Sequence, residues 1–110
     1  MTAAAGQSAL RITYQKRERV FHDTVYLGRE AADNHVVVAS PLTSRRHAKI
    51  ELRAGKFVLI DQSSNGTYVV IGSNNELLLK REEVLLYGAG RFAFGVSTAE
   101  PGAAVVEYSC

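Results

Sequence analysis

One cysteine occurs in the 110 residues, and it is the last of them, Cys110. An internal disulfide is therefore excluded, and nothing points to an oxidising compartment. A surplus of one charge is missing as well: 13 Lys and Arg face 11 Asp and Glu, for a net charge of +2. So even a balance does not call for a nucleic-acid partner, and any affinity for anions has to be local. No run approaches the roughly 18 consecutive apolar residues of a membrane-spanning helix. The opening "MTAAAGQSAL" also lacks the basic stretch followed by an apolar one that marks a secretory signal. The expectation is a cytoplasmic protein with no membrane partner, in which "NGT" at 65–67 is no glycosylation acceptor. His22, His35 and His47 stand on different elements without metal-ligand spacing, so neither a metal nor another cofactor is expected.

A sustained helical period is also absent. In its place come short β-type runs separated by turn residues at intervals of about 8 to 12, the spacing of an all-β sandwich or barrel. The runs are "ALRITY" (9–14), two within "RVFHDTVYLG" (19–28), "HVVVA" (35–39), the hairpin "AKIELRAGKFVLID" (48–61), "TYVVIG" (67–72), and then "ELLLKREEVLLYG" and "RFAFG". In the hairpin, Ile50 and Leu52 alternate with Lys49, Glu51 and Arg53, and the turn falls around Ala54-Gly55-Lys56. "ELLLKREEVLL" is rich in helix formers but reads as two strands joined at Arg81-Glu82. A chain of this length makes one domain, with an apolar content of 46% to fill its core. Residues 1–7 read as a flexible leader and 8–110 as the domain, a β-sandwich of ten or eleven strands.

The loops of a sandwich cluster at its ends and carry function. Three of them are chemically unusual: Gly28-Arg29, Ser44-Arg45-Arg46-His47, and Ser63-Ser64-Asn65-Gly66-Thr67. The last two flank the hairpin, so they return to the same edge. The inventory is almost all donors: guanidinium groups of Arg29 and Arg45, hydroxyls of Ser44 and Ser64, and the Asn65 amide, with no carboxylate among them. Guanidinium forks match phosphate oxygens two at a time, so this set suits a tetrahedral oxyanion.

"YLGRE", "SPLTSRRHAKI" and "DQSSNGTYV" resemble, in order and spacing, the Gly-Arg, Ser-x-x-His and Asn-Gly signatures of forkhead-associated (FHA) domains, over about residues 10–98. The resemblance implies an eleven-stranded sandwich of two twisted, mainly antiparallel sheets, without catalytic activity, that binds phosphothreonine in a partner protein or peptide. It implies that Arg29 and Ser44 contact the phosphate, Arg45 assists, Ser64 hydrogen-bonds to it and Asn65 grips the neighbouring peptide backbone. Gly28, His47, Gly66 and Thr67 would support the site from behind. A Ser/Thr kinase would act upstream. One departure is "TYVVIG", where family members often continue with Asn-Gly. The end of the chain, "LLLKREEVLLYGAGRFAFG" with "VVEYSC", further resembles FHA modules fused behind bacterial adenylate or guanylate cyclase domains, which implies a cyclase catalytic domain in the parent chain.

Other readings of the same residues are weaker. Arg46 is expected to be a solvated charge. Ser44, His47 and Asp61 contain the residue types of a hydrolase triad but lack a nucleophile elbow. The alternative function is a phosphate-independent scaffolding or dimerisation module that uses the sheet faces or edges.

Overall fold

The computed structural model describes residues 8–110, so the leader expected over 1–7 lies outside the described residues. Eleven strands follow one another: β1 (Leu10–Tyr14), β2 (Arg17–Phe21), β3 (Val25–Gly28), β4 (Val36–Val37), β5 (Ala48–Arg53), β6 (Lys56–Asp61), β7 (Thr67–Ile71), β8 (Leu77–Leu79), β9 (Glu83–Leu86), β10 (Ala89–Phe94) and β11 (Val105–Ser109). They form a six-stranded sheet of order β2-β1-β11-β10-β7-β8 and a five-stranded sheet of order β4-β3-β5-β6-β9. Every pairing is antiparallel except β3 with β4. The expected sandwich is thus the observed one, with one turn of 3-10 helix (Ala31–Asp33) inserted before β4.

Alternation along each strand decides what is buried. Leu10 and Ile12 of β1, Phe92 and Phe94 of β10, and Val106 and Tyr108 of β11 point into one core with Val25, Leu27, Ile50, Phe57 and Leu59 of the other sheet. Cross-strand partners share that inner face: Ile12 opposite Tyr108, Phe92 opposite both Val106 and Val69, and Ile50 opposite both Val25 and Leu59. The terminal run "VVEYS", not singled out as a strand in the sequence, alternates in the same way and pairs between β1 and β10.

The two halves of "ELLLKREEVLL" separate as expected, and they belong to different sheets. β8 pairs with β7 and β9 with β6, so Lys80–Glu82 carries the chain across from one sheet to the other. Inward Leu79 and Leu86 explain why the segment does not become a helix: burial on two facing sheets outweighs its helical propensity. The departure "TYVVIG" is absorbed at the end of β7, where Val70 and Ile71 are buried and Gly72 opens the following turn.

Strand register places the functional loops. Leu27 faces Ala48, and Ala48 faces Asp61, so the residues just beyond them, Gly28, His47 and Gln62, lie side by side. His47 N–H donates to the Leu27 carbonyl at 3.0 Å, and Gln62 N–H donates to the His47 carbonyl at 2.8 Å. The same end of the sandwich therefore presents the loops after β3, before β5 and after β6.

Candidate anion-binding site

Arg29 leaves β3 with its backbone already committed: its N–H donates to the Ser44 carbonyl at 3.0 Å. Its side chain is oriented by a second bond, Nε–H to the Thr43 carbonyl at 3.0 Å. The two Nη groups have no protein partner among the described residues, so the fork stays available in a fixed plane. Arg45 is exposed and likewise makes no side-chain hydrogen bond or ion pair among the described residues. Its backbone, however, is held tightly, because its carbonyl accepts from Glu30 N–H at 3.2 Å and from Asn34 Nδ2 at 2.7 Å.

That close seating explains Gly28. A Cβ there would lie 2.3 Å from the Arg45 carbonyl oxygen and 2.9 Å from Asn34 Nδ2. Any larger residue would push the Arg45 loop away from β3. The need is for space and not for unusual dihedrals, since the positive-φ residues do not include Gly28.

Ser44 joins the second and third loops. Its Oγ accepts from Ser64 N–H at 3.3 Å, and its own N–H donates to His47 Nδ1 at 3.0 Å. Because Nδ1 accepts, the ring proton sits on Nε2, which donates to the Gly66 carbonyl at 2.9 Å. His47 is fully buried and stacks on Phe94 with ring centroids 4.1 Å apart. Burial lowers its pKa, and the Gly66 carbonyl and the Asp61 carboxylate 3.7 Å away oppose that shift. The imidazole is a neutral tie between two loops. Neither of its nitrogens faces the Ser44 hydroxyl, so there is no activated nucleophile here.

The third loop is built on a buried carboxylate. Asp61 Oδ1 accepts from Ser63 Oγ and from Thr67 Oγ1, each at 2.7 Å, and Oδ2 accepts from Arg81 N–H at 2.9 Å. Ser63 Oγ in turn accepts from Gly66 N–H at 2.8 Å. This pulls the chain into a turn whose tip is the exposed pair Ser64-Asn65. Asn65 Nδ2 reaches the Leu42 carbonyl at 3.4 Å. Gly66 has φ of +91°, and a Cβ on it would meet Leu78 Cδ1 at 2.7 Å and the Leu79 carbonyl oxygen at 3.1 Å, so dihedral and space both demand glycine.

Arg29, Ser44, Arg45, Ser64 and Asn65 thus share one end of the fold, with Gly28, His47, Gly66 and Thr67 beneath them. Arg46 turns aside to pair with Asp33 at 3.4 Å while its side chain stays 72% exposed. Sequence reading missed Asn34, Asp61 and Ser63 as supports of these loops. The spacing of Asp61, Ser63 and Gly66 did carry a signal, since short polar side chains that bond the backbone a few residues on are a turn device. Asn34 makes one local bond of that kind, from Nδ2 to the Glu30 carbonyl at 2.6 Å, but its bond to Arg45, eleven residues away, exists only through the fold. Thr43 is buried with an Oγ1 that has no hydrogen-bond partner, a feature sequence reading also passed over.

A two-sheet sandwich that holds donor-bearing loops at one end on a rigid frame has the architecture of a loop-presented site. The FHA domain model matches residues 25–95. The chain belongs to the FHA family, whose members are non-enzymatic phosphopeptide-binding modules. Among solved structures it is similar to Mycobacterium tuberculosis Rv1747 FHA-1, with 28% identity and a TM-score of 0.71 over 94% of this chain and 96% of that one. The MEK1 FHA domain in complex with a HOP1 phosphothreonine peptide is 21% identical, with a TM-score of 0.71 over 93% and 96% of the two chains. The N-terminal FHA domain of S. cerevisiae Rad53p, in complex with a phosphothreonine peptide, is 18% identical, with a TM-score of 0.68 over 92% and 90%. At such identities the latter two speak for the fold alone. No curated protein matches the chain.

Proposed function

We propose that this domain binds phosphothreonine in a partner protein or in its own parent chain, and so recruits that partner after a Ser/Thr kinase has acted. The observation that carries the reading is the set of donors at one end of the fold, Arg29, Ser44, Arg45, Ser64 and Asn65: the backbones of the first four are held by hydrogen bonds, and the side-chain donors of the set stay largely unused. A phosphate brings about −1.5 to −2 charge and three acceptor oxygens. Arg29 and Arg45 supply the opposite charge, Ser44 and Ser64 add hydroxyls, and Asn65 takes the peptide backbone. Phosphothreonine peptides are what the MEK1 and Rad53p FHA domains, which share this fold, hold in their complexes. Residues 8–110 act as one module in the cytoplasm, and the cyclase-like end of the chain favours a parent in which this module regulates a cyclase catalytic domain.

Calorimetric titration with degenerate peptide pools carrying phosphothreonine, phosphoserine or unmodified threonine tests this directly. Heat from the phosphothreonine pool alone is expected, and Arg29→Ala should weaken that binding by about 2 to 4 kcal/mol with the fold intact, because a charge-assisted pair is lost from a loop. Equal binding of the unmodified pool, or full affinity in the variant, contradicts the assignment.

A second reading has its own observation. Leu77 of β8, Leu85 of β9 and Tyr87 just after it are 45%, 40% and 55% exposed, and β8 and β9 are edge strands of the two sheets. Such edges suit a phosphate-independent scaffold or self-association. Light scattering over a concentration series, beside binding of an unphosphorylated partner, separates the two, since only this second reading requires self-association or phosphate-independent partner binding.

A further inference from the structure

β2 and β4 are edge strands of different sheets, and a cleft of about 300 Å³ is lined by residues of both edges, among them Ile12, Tyr14, Arg17, Arg19, His35 and Val36. None of Arg29, Ser44, Arg45, Ser64 and Asn65 lines it, so it is separate from the loops that carry the anion-binding donors.

The register of the β1–β2 hairpin explains why cations reach this cleft. Arg19 stands opposite Ile12 and Arg17 opposite Tyr14, and residues directly opposite one another share a face of the sheet. Ile12 belongs to the core and Tyr14 packs against it, so both arginines lie on the inner face of the sheet at its open edge. Glu18, between them, points the other way and pairs with Arg11 at 2.6 Å. The lining therefore holds two arginines and no carboxylate.

The two arginines differ in what they do. Arg19 Nη1 donates to the His35 carbonyl, and its guanidinium lies 4.8 Å from the centre of the Phe21 ring, so it ties the two edges together. Arg17 is exposed, and its side chain makes no hydrogen bond or ion pair among the described residues. Two further donors line the cleft. Burial raises the Tyr14 pKa, which keeps its hydroxyl protonated. His35 Nδ1 accepts from Tyr26 N–H at 3.0 Å, so the neutral ring carries its proton on Nε2. The apolar part of the lining is Ile12, Val36 and Val37, the first two of them buried. Inward charges on an edge strand also discourage pairing with other chains. That role needs only the charge, not an apolar cleft beside it.

We propose that this lateral cleft binds a small organic anion, a carboxylate carried on a compact apolar body. The Arg17 fork matches the two carboxylate oxygens, and Ile12, Val36 and Val37 cover the body. The volume stands at the lower end of the range of ligand pockets, which suits a single ring or a short branched chain. The proposal does not rest on the phosphothreonine reading.

NMR titration of the nitrogen-15-labelled domain with phenylacetate, acetate and 2-phenylethanol tests it, since the last two each lack one half of the expected ligand. Phenylacetate should bind saturably and roughly tenfold tighter than either, as expected when one charge-assisted contact adds to apolar burial. The amide shifts should gather at 12–19 and 35–37. Arg17→Gln should weaken phenylacetate about tenfold and leave the rest of the spectrum in place, because no protein group depends on that side chain. Equal affinity for 2-phenylethanol, full affinity in the variant, or no saturation with phenylacetate overturns the proposal. Shifts centred on Ser44 and Asn65 overturn it too, by placing the anion with Arg29 instead.

Discussion

His47 and Thr43 show how much a single buried polar side chain decides. The imidazole accepts from the Ser44 N–H and donates to the Gly66 carbonyl, so a proton on Nδ1 would set two donors against each other. Its pKa is lowered in the folded state, mainly by burial. The folded protein then holds fewer protons than the unfolded chain just below the ordinary histidine value of 6.5, and His47 contributes a loss of stability as pH falls through that value. The urea midpoint is expected to drop between pH 7.5 and 5.5, and His47→Gln should flatten the drop. An unchanged slope in the variant would assign the effect to another group. Thr43 presents the opposite case, a hydroxyl buried without a partner. Thr43→Val keeps the shape and removes the unpaired group, so thermal unfolding should show a gain of about 1 kcal/mol; a loss would mean that the hydroxyl is satisfied in solution.

Among the elements, the two tight hairpins differ in how well their sequences suit their turns. β5 and β6 are joined by Ala54 and Gly55 with φ of +50° and +78°, and the glycine there made the hairpin readable in advance. β1 and β2 are joined by Gln15 and Lys16 with φ of +51° and +65°, neither of which favours the left-handed region. This turn is imposed by the pairing of its strands and not by its own residues, which is why it left no mark in the sequence. Replacing the pair with Asn-Gly is expected to raise stability by about 1 kcal/mol in denaturant unfolding. No gain would indicate that the turn is already relaxed in solution. "ELLLKREEVLL" is the reverse case: local preference favours helix, and the two strands expected to meet at Arg81-Glu82 are held apart by the burial of Leu79 and Leu86 on different sheets.

In the molecule as a whole, one core joins both sheets: Phe92 and Tyr108 from one and Leu27, Ile50 and Leu59 from the other lie in the same buried cluster. Neither sheet can lose its partner and keep its inner face dry. Unfolding should therefore be a single transition, with far-UV circular dichroism and tyrosine fluorescence coincident, in a chain that has no tryptophan. Two separated transitions would show that the sheets are independent. The sequence by itself determined the class of fold, through period-2 alternation and regularly spaced turns, and it determined which loops hold the donors. Those are local properties, visible wherever neighbouring residues carry the signal. Only the tertiary structure decided that Asn34 would brace Arg45, that Asp61 would tie the Asn65-Gly66 turn to Arg81, and that Lys80 would lie beside Gly66. Those relations join residues from strands of different sheets or from distant loops, and no local spacing encodes them, because they come into being only when the two sheets close over a common core.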